Sequence, residues 1–250
     1  MAQMTEIQLL TQERLNAGTS WTRNEQFEKN GYIVLKDLWD PEELYAPAPK
    51  ERGQLNYHGT KQNEFTYDEL ERQVEGSLSR YHHPQYRKIH HGIRKKLEKA
   101  IGRTLYTTYY YDRFYFEGLE LTNHADRPAC EISVTVHVST NLPDGYKDWP
   151  VWIKTPDIYT DKTKSQILVP GQNSSVVLNP GDGMIYKGCE RPHWREPMEV
   201  PKRNKLLNWF KKDNTEYYYH QIFFHYVLQD GQRAHMAWDK SKWSRGDGSF

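Results

Sequence analysis

The first thirty residues are polar with weak helical periodicity that stops at Gly31. Tyr32–Leu38 (YIVLKDL) follows as a short apolar strand closed by Asp40-Pro41, and Ala46–Gln54 reads as a loop. From Tyr67 to Ser79, and again from Pro84 to Ile101, apolar positions recur at helical spacing; in the second stretch Ile89, Ile93, Leu97 and Ala100 form one stripe, ended by Gly102. Two supporting helices are predicted there.

Beyond Gly102 the period changes from that of a helix to that of a strand. Leu105–Phe116, Ile132–Thr140 and the segments WPVWIKT, SSVVL, GMIYKG and HQIFFHYVL are rich in β-branched and aromatic residues, and turn residues such as Asn179-Pro180-Gly181-Asp182 separate them. In Ile132–Thr140 the residues Ser133, Thr135 and His137 alternate with Ile132, Val134 and Val136, so one face of that strand is polar. The pattern predicts a mostly β protein with supporting helices, a sandwich or jelly roll carrying the helices on one outer face. Residues 1–104 then supply an N-terminal strand and helices, and 105–250 the β core, as one integrated domain. The basic segment 201–214 (PKRNKLLNWFKKDN) interrupts the strands as an insertion, and its LLNWF centre is a candidate lid.

Composition narrows the function classes. The 34 Lys and Arg nearly cancel the 33 Asp and Glu, so charge gives no reason to expect a nucleic-acid partner. Cys130 and Cys189 are too few for a disulfide scaffold and lack zinc-ligand spacing, which favours a reducing compartment. The N-terminal residues show no basic-then-apolar leader and no apolar run is long enough to span a membrane, so the expected location is the cytoplasm, without membrane association. Mean hydropathy is -0.95, yet aromatic residues make up 14% of the chain. Its 18 Tyr and 8 Trp can bury area while keeping a polar handle, so a core remains available to a chain this hydrophilic.

The chemistry centres on His124-Ala125-Asp126. Residues two apart in extended backbone project to one face, so this imidazole and carboxylate can address one metal ion. Far along the chain, NPGDGMIYKGCERPHWREP feeds a tight turn into a strand ending near His193. Two His and one carboxylate with positions left open form the facial triad suited to Fe(II) and oxygen activation. An organic diacid bound to such a metal needs a cation at its far end, and Arg offers the matching planar fork. Arg195, two residues past His193, falls on the same face roughly 6 to 7 Å along an extended strand. Arg203 and Lys205, in the basic insertion, are rivals. Arg113 and Tyr115 on the preceding strand can add a guanidinium or a phenol to the pocket, and Ser133 and Thr135 line it if their face turns inward. His82-His83 and His90-His91 read as solvated side chains around a helix start, and His220, His225 and His235 as satisfied residues on or after the last strand.

Two segments carry a family resemblance. FEKNGYIVLKDLWDPEEL (Phe27–Leu44) resembles the opening strand of the prolyl-hydroxylase-like and phytanoyl-CoA-dioxygenase-like Fe(II)/2-oxoglutarate oxygenases, and NHADRPACEISVTVHVSTNL with NPGDGMIYKGCERPHWREP resembles their metal-binding core. The resemblance runs from about Phe27 to Val227, with only the HxD triplet and the PGD-to-HWREP segment specific. It implies a double-stranded β-helix of the jelly-roll or cupin-like type. His124, Asp126 and His193 would be iron ligands, and Tyr115 would lie near a cosubstrate-binding Tyr. The implied reaction is hydroxylation of an unactivated C–H bond, with 2-oxoglutarate consumed to succinate and CO2, ascorbate as an auxiliary reductant, and a small-molecule or peptidyl substrate. These families commonly place the cosubstrate cation about ten residues past the distal His, the offset of Arg203, but the insertion separates that residue from the last strand; Arg195 ranks first.

Two other classes fit the same residues. One is a metal-free jelly-roll module that binds a ligand on surface Trp149, Trp152, Trp194 and Trp209, and the other is a cupin-type metalloenzyme that uses no 2-oxoglutarate.

Overall fold

The computed structural model describes residues 21–48, 66, 67, 74, 76–202 and 216–239. In chain order the elements are α1 (Glu25–Asn30), β1 (Tyr32–Leu35), α2 (Pro41–Leu44), β2 (Thr66–Tyr67), β3 (Leu78–Tyr81), α3 (Gln85–Ile101), β4 (Leu105–Phe116), β5 (Leu121–His124), β6 (Ile132–Thr140), β7 (Val151–Lys154), β8 (Ile158–Tyr159), β9 (Ile167–Val169), β10 (Asn173–Val176), β11 (Gly183–Tyr186), β12 (His193–Arg195) and β13 (Tyr218–Leu228). Short 3-10 turns cover Pro128–Cys130 and Ala234–Asp239.

Seven strands form one sheet in the order β1-β11-β6-β13-β4-β3-β2, and four form a second in the order β10-β7-β12-β5. From β4 to β7 the chain alternates between the two sheets, and from β10 it runs on in the smaller sheet, the larger, the smaller and the larger again. That path is a double-stranded β-helix. It carries residues remote in sequence into the space between the sheets.

The amphipathic pattern explains the outer layer. Ile89, Ile93 and Leu97 of α3 are buried against the outward face of the larger sheet, with Val134, Val136, Val138, Ile222, Phe224 and Tyr226. Each such side chain contributes about 1.5 to 3 kcal/mol of burial. Gly102 ends α3 in the left-handed conformation (φ 68°), as the sequence predicts, and Gly31 does the same for α1 (φ 77°). The residues of β6 facing the other way, Ser133, Thr135 and His137, therefore line the interior.

Both ends of one predicted helix lie in strands instead. Within Tyr67–Ser79, Tyr67 lies in β2 and Leu78 and Ser79 in β3; residues 68–73 and 75 lie outside the described residues. The spacing of Val74 and Leu78 fits a helix, but the edge of β4 offers an open row of backbone donors and acceptors. Leu78–Tyr81 takes them in register with Phe114–Tyr111. The β8-β9 hairpin was likewise not expected from the pattern. Of the 201–214 insertion, residues from 203 on lie outside the described residues. No helix among the described residues is long and apolar enough to cross a membrane.

Candidate active site

The smaller sheet brings the two histidines together. Strand β12 runs antiparallel to β5 with His193 opposite His124, and their ring centroids are 4.3 Å apart. Asp126, just past the end of β5, reaches between them. Its Oδ1 lies 3.4 Å from His124 Nε2 and 3.6 Å from His193 Nε2. The opposite ring nitrogens are committed to backbone carbonyls: His124 Nδ1 to Thr122 O at 2.7 Å and His193 Nδ1 to Arg191 O at 3.0 Å. A carbonyl only accepts, so each Nδ1 carries the proton and each Nε2 lone pair points at the other and at the carboxylate. Burial depresses the basicity of His193 and outweighs the opposing pull of Asp126. Burial also resists ionisation of Asp126, but the surrounding imidazoles, His193 foremost with His124 and His225, hold its carboxyl below the usual range. Two imidazoles and a carboxylate thus converge, one ligand atom from each, within 4.8 Å of one another. Three electron-rich atoms aimed at one point suit a divalent cation.

A ring of contacts fixes this arrangement. Ser133 Oγ donates to Asp126 Oδ2 at 2.9 Å, so the 2.9 Å contact between Ser133 Oγ and His225 Nδ1 is donated by the imidazole. Asp126 N–H donates to Gly188 O at 2.9 Å. A side chain at Gly188 would collide with Asp126 Oδ2, Cys130 O and Ser133 Oγ, so only glycine lets the chain pass there. The Tyr186 ring lies 4.6 Å from that of His193. Cys130 and His225 also lie within 4.8 Å of Asp126, but the Ser133 hydroxyl already bridges His225 to the carboxylate, which makes this group a support for Asp126.

Arg195 occupies the same inward face of β12 as His193 and is 2% exposed. Its guanidinium lies 4.5 Å from the Trp149 ring centroid and 5.0 Å from that of Tyr219, and Nη1 donates to Trp149 O. Nη2 is buried without a hydrogen-bond partner, and no acidic residue among the described residues pairs with Arg195. Burial works against its charge, while the Tyr219 and Tyr115 phenols favour it. Arg195 makes no salt bridge with its sequence neighbours Glu190 and Glu196; the Glu196 carboxylate accepts from Trp194 Nε1 instead. Tyr115 is buried edge-on to Trp149 (5.1 Å), and among the described residues neither its hydroxyl nor Thr135 Oγ1 has a hydrogen-bond partner, so both are placed to meet a ligand. Arg203 lies outside the described residues.

Several expectations change. His90 is not solvated: it is buried in the face of α3 that meets the sheet, 3.1 Å from His225 O and stacked on Phe224. Trp149 is not a surface residue but the lid of the Arg195 compartment. Trp152 and Trp194 stack on each other at 6.0 Å, and Trp209 lies outside the described residues. His220, set on the outward face of β13, pairs through Nε2 with Asp112 at 3.0 Å and stacks on Phe114, whereas its Nδ1 is buried without a hydrogen-bond partner among the described residues. The roles of Gly188 and His225 were missed. The glycine stood inside a quoted motif, yet nothing local marks what its missing Cβ would strike.

Neither a family model nor a curated protein sequence matches the chain. Among solved structures, SnoN, a non-heme alpha ketoglutarate dependent epimerase from nogalamycin biosynthesis, matches with a TM-score of 0.51 at 12% identity, over 87% of this chain and 81% of its own. A prolyl-4-hydroxylase from Pseudomonas putida matches with a TM-score of 0.49 at 12% identity, over 80% of this chain and 95% of its own. HygX from Streptomyces hygroscopicus, with nickel and 2-oxoglutarate bound, matches with a TM-score of 0.46 at 9% identity, over 89% and 87%. The likeness to SnoN is one of fold.

Proposed function

We propose that the protein is an Fe(II)- and 2-oxoglutarate-dependent oxygenase that hydroxylates an unactivated C–H bond of a small-molecule or peptidyl substrate. The observation that carries this reading is one three-residue strand, His193–Arg195, which presents to the barrel both a metal-suited imidazole and a buried arginine without an acidic partner. The donor set fits Fe(II), and the orphaned Arg195 Nη2 fits the far carboxylate of a five-carbon diacid. A cupin-type metalloenzyme that uses no 2-oxoglutarate has no need of that arginine. A metal-free module has no need of two Nε2 lone pairs facing a carboxylate.

In this reading His124, Asp126 and His193 hold the iron, which together with 2-oxoglutarate supplies O2-dependent oxidation of the substrate, with succinate and CO2 as co-products. The Thr122 and Arg191 carbonyls keep the ligand nitrogens free of protons. Ser133 and His225 hold Asp126 in one rotamer. Arg195 orients the cosubstrate, with Tyr115 and Thr135 as further hydroxyl donors and the Trp149 and Tyr219 rings keeping water from its charge. Arg203 remains the rival anchor.

The test is succinate formation by purified protein given Fe(II), ascorbate, 2-oxoglutarate and a panel of amino-acid, peptide and lipid substrates, with product mass showing whether one oxygen atom is gained. Turnover that yields succinate and a hydroxylated product supports the proposal. The absence of both turnover and an anaerobic iron–cosubstrate complex would count decisively against it.

A further inference from the structure

The inward face of β13 carries Tyr219, Gln221, Phe223 and His225 in succession. Three of them have evident contacts. Tyr219 stacks on His137 at 4.0 Å and lies against Arg195, Phe223 stacks on Tyr111 at 4.7 Å, and His225 meets Ser133. Gln221 differs. It is 0% exposed, and neither its amide nitrogen nor its amide oxygen has a hydrogen-bond partner among the described residues.

Its register neighbours do not serve it. Gln221 lies opposite Arg113 on β4 and opposite His137 on β6. Arg113 Nε donates to Ser79 Oγ and His137 Nδ1 is engaged by Leu178 O, while His137 Nε2, like the Gln221 amide, is buried without a hydrogen-bond partner among the described residues. A buried polar group left unmade costs about 1 to 3 kcal/mol, so a carboxamide with both ends open is an expensive way to fill a core position. It is a natural way to meet a ligand. The cosubstrate cannot satisfy it, because a carboxylate only accepts and would leave Gln221 Oε1 without a donor. The group that matches a carboxamide at both ends is another amide, with an N–H and a C=O side by side. The stacked rings of Tyr111 and Phe223 lie one inward step along the strand, with the Arg113 guanidinium 5.2 and 5.9 Å from their centroids, so such a planar group would be flanked by aromatic faces and a cation.

We propose that Gln221 is a specificity residue that reads an amide of the primary substrate: Nε2 donates to the amide carbonyl and Oε1 accepts the amide N–H. This rests on the barrel interior being the reaction chamber. It restricts the substrate class to molecules that present a cis-configured amide N–H and C=O beside the oxidised carbon, such as a lactam or a primary carboxamide; a trans peptide bond, whose N–H and C=O point opposite ways, does not fit.

The test compares two probes by saturation-transfer NMR on the full chain loaded with 2-oxoglutarate and redox-inert Zn(II). 2-Pyrrolidinone offers N–H and C=O together; N-methyl-2-pyrrolidinone has lost the donor. The expected result is at least about ten-fold tighter binding of the first, because rejecting the second leaves Oε1 unpaired. Gln221→Leu should reduce that ratio to near one, and Gln221→Met provides the same test should the leucine variant misfold. Equal binding of both lactams by the wild type, or selectivity that survives in both variants, would overturn the proposal. So would a more than ten-fold loss of 2-oxoglutarate binding in Gln221→Leu, which would assign the residue to the cosubstrate. Lactam selectivity in a wild-type protein that binds no 2-oxoglutarate would uphold the amide reading and remove the oxygenase one.

Discussion

His124 and His193 sit directly opposite each other on the antiparallel strands β5 and β12, with Asp126 Oδ1 within 3.6 Å of both Nε2 atoms. Cross-strand partners on one face hold their Cβ atoms about 4.5 to 5.5 Å apart. The sheet register therefore sets the separation of the two imidazoles, and the backbone carbonyls of Thr122 and Arg191 set their tautomers. The site is built by hydrogen bonding of the scaffold before any ligand arrives, and its sensitivity to substitution follows.

Gly188→Ala should damage the site more than the fold. The added methyl would strike Asp126 Oδ2, Ser133 Oγ and the Cys130 carbonyl, two of which belong to the site itself. A fall in Fe(II) affinity of roughly 10- to 100-fold is expected, read by anaerobic titration, with the β content by circular dichroism retained.

Ser133→Ala removes the hydroxyl that donates to Asp126 Oδ2 and accepts from His225 Nδ1. Metal affinity should drop by about 10-fold or more, while 2-oxoglutarate affinity at saturating metal stays near wild type. A parallel loss of both would mean that Ser133 touches the cosubstrate.

Arg195→Ala should act on the cosubstrate alone. A charge-assisted hydrogen bond contributes about 1.5 to 3 kcal/mol, so the KM for 2-oxoglutarate should rise roughly 10- to 150-fold with metal binding unchanged. Arg195→Lys keeps a charge but not the fork that spans Trp149 O and the ligand, and should recover only part of the loss. An unchanged KM would move the anchor to Arg203.

Acid should destabilise the ligand-free protein through its buried histidines. Burial drives His137 down to about 4 and also lowers His90 and His220. A group less basic in the folded state than in the unfolded one stabilises fully above the unfolded value, near 6.5, and loses that contribution as pH falls towards the folded value. For His137 this amounts to about 3 kcal/mol between those limits. Buried Asp112 acts in the same sense at lower pH, its carboxyl held down by His220 and Arg80 against burial. Thermal melts should show Tm falling steadily below pH 6.5, and His137→Gln should flatten the slope.

The β core was legible because its strands are long and bounded by turns. Leu105–Phe116 and Ile132–Thr140 form over the residues that the alternation predicts. The triad was legible because HxD and the strand around His193 are local patterns. What escaped depends on pairings remote in sequence. Leu78–Tyr81 becomes a strand because β4 has a free edge, His90 is buried because α3 lies across the sheet near His225, and Trp149 covers Arg195 from a loop that carries no periodic signal. The acid-free setting of Arg195 could not be read from a sequence in which Glu196 follows it directly. Only the fold sends the two side chains apart.

The most direct measurement of the central claim is anaerobic absorption spectroscopy of the wild-type protein and His193→Ala, titrated with Fe(II) and then 2-oxoglutarate. The account predicts a visible iron-to-cosubstrate charge-transfer band in the wild type at one iron per chain and its loss in the variant. A wild-type protein that takes up no iron, or that binds iron and shows no band on addition of 2-oxoglutarate, would contradict it.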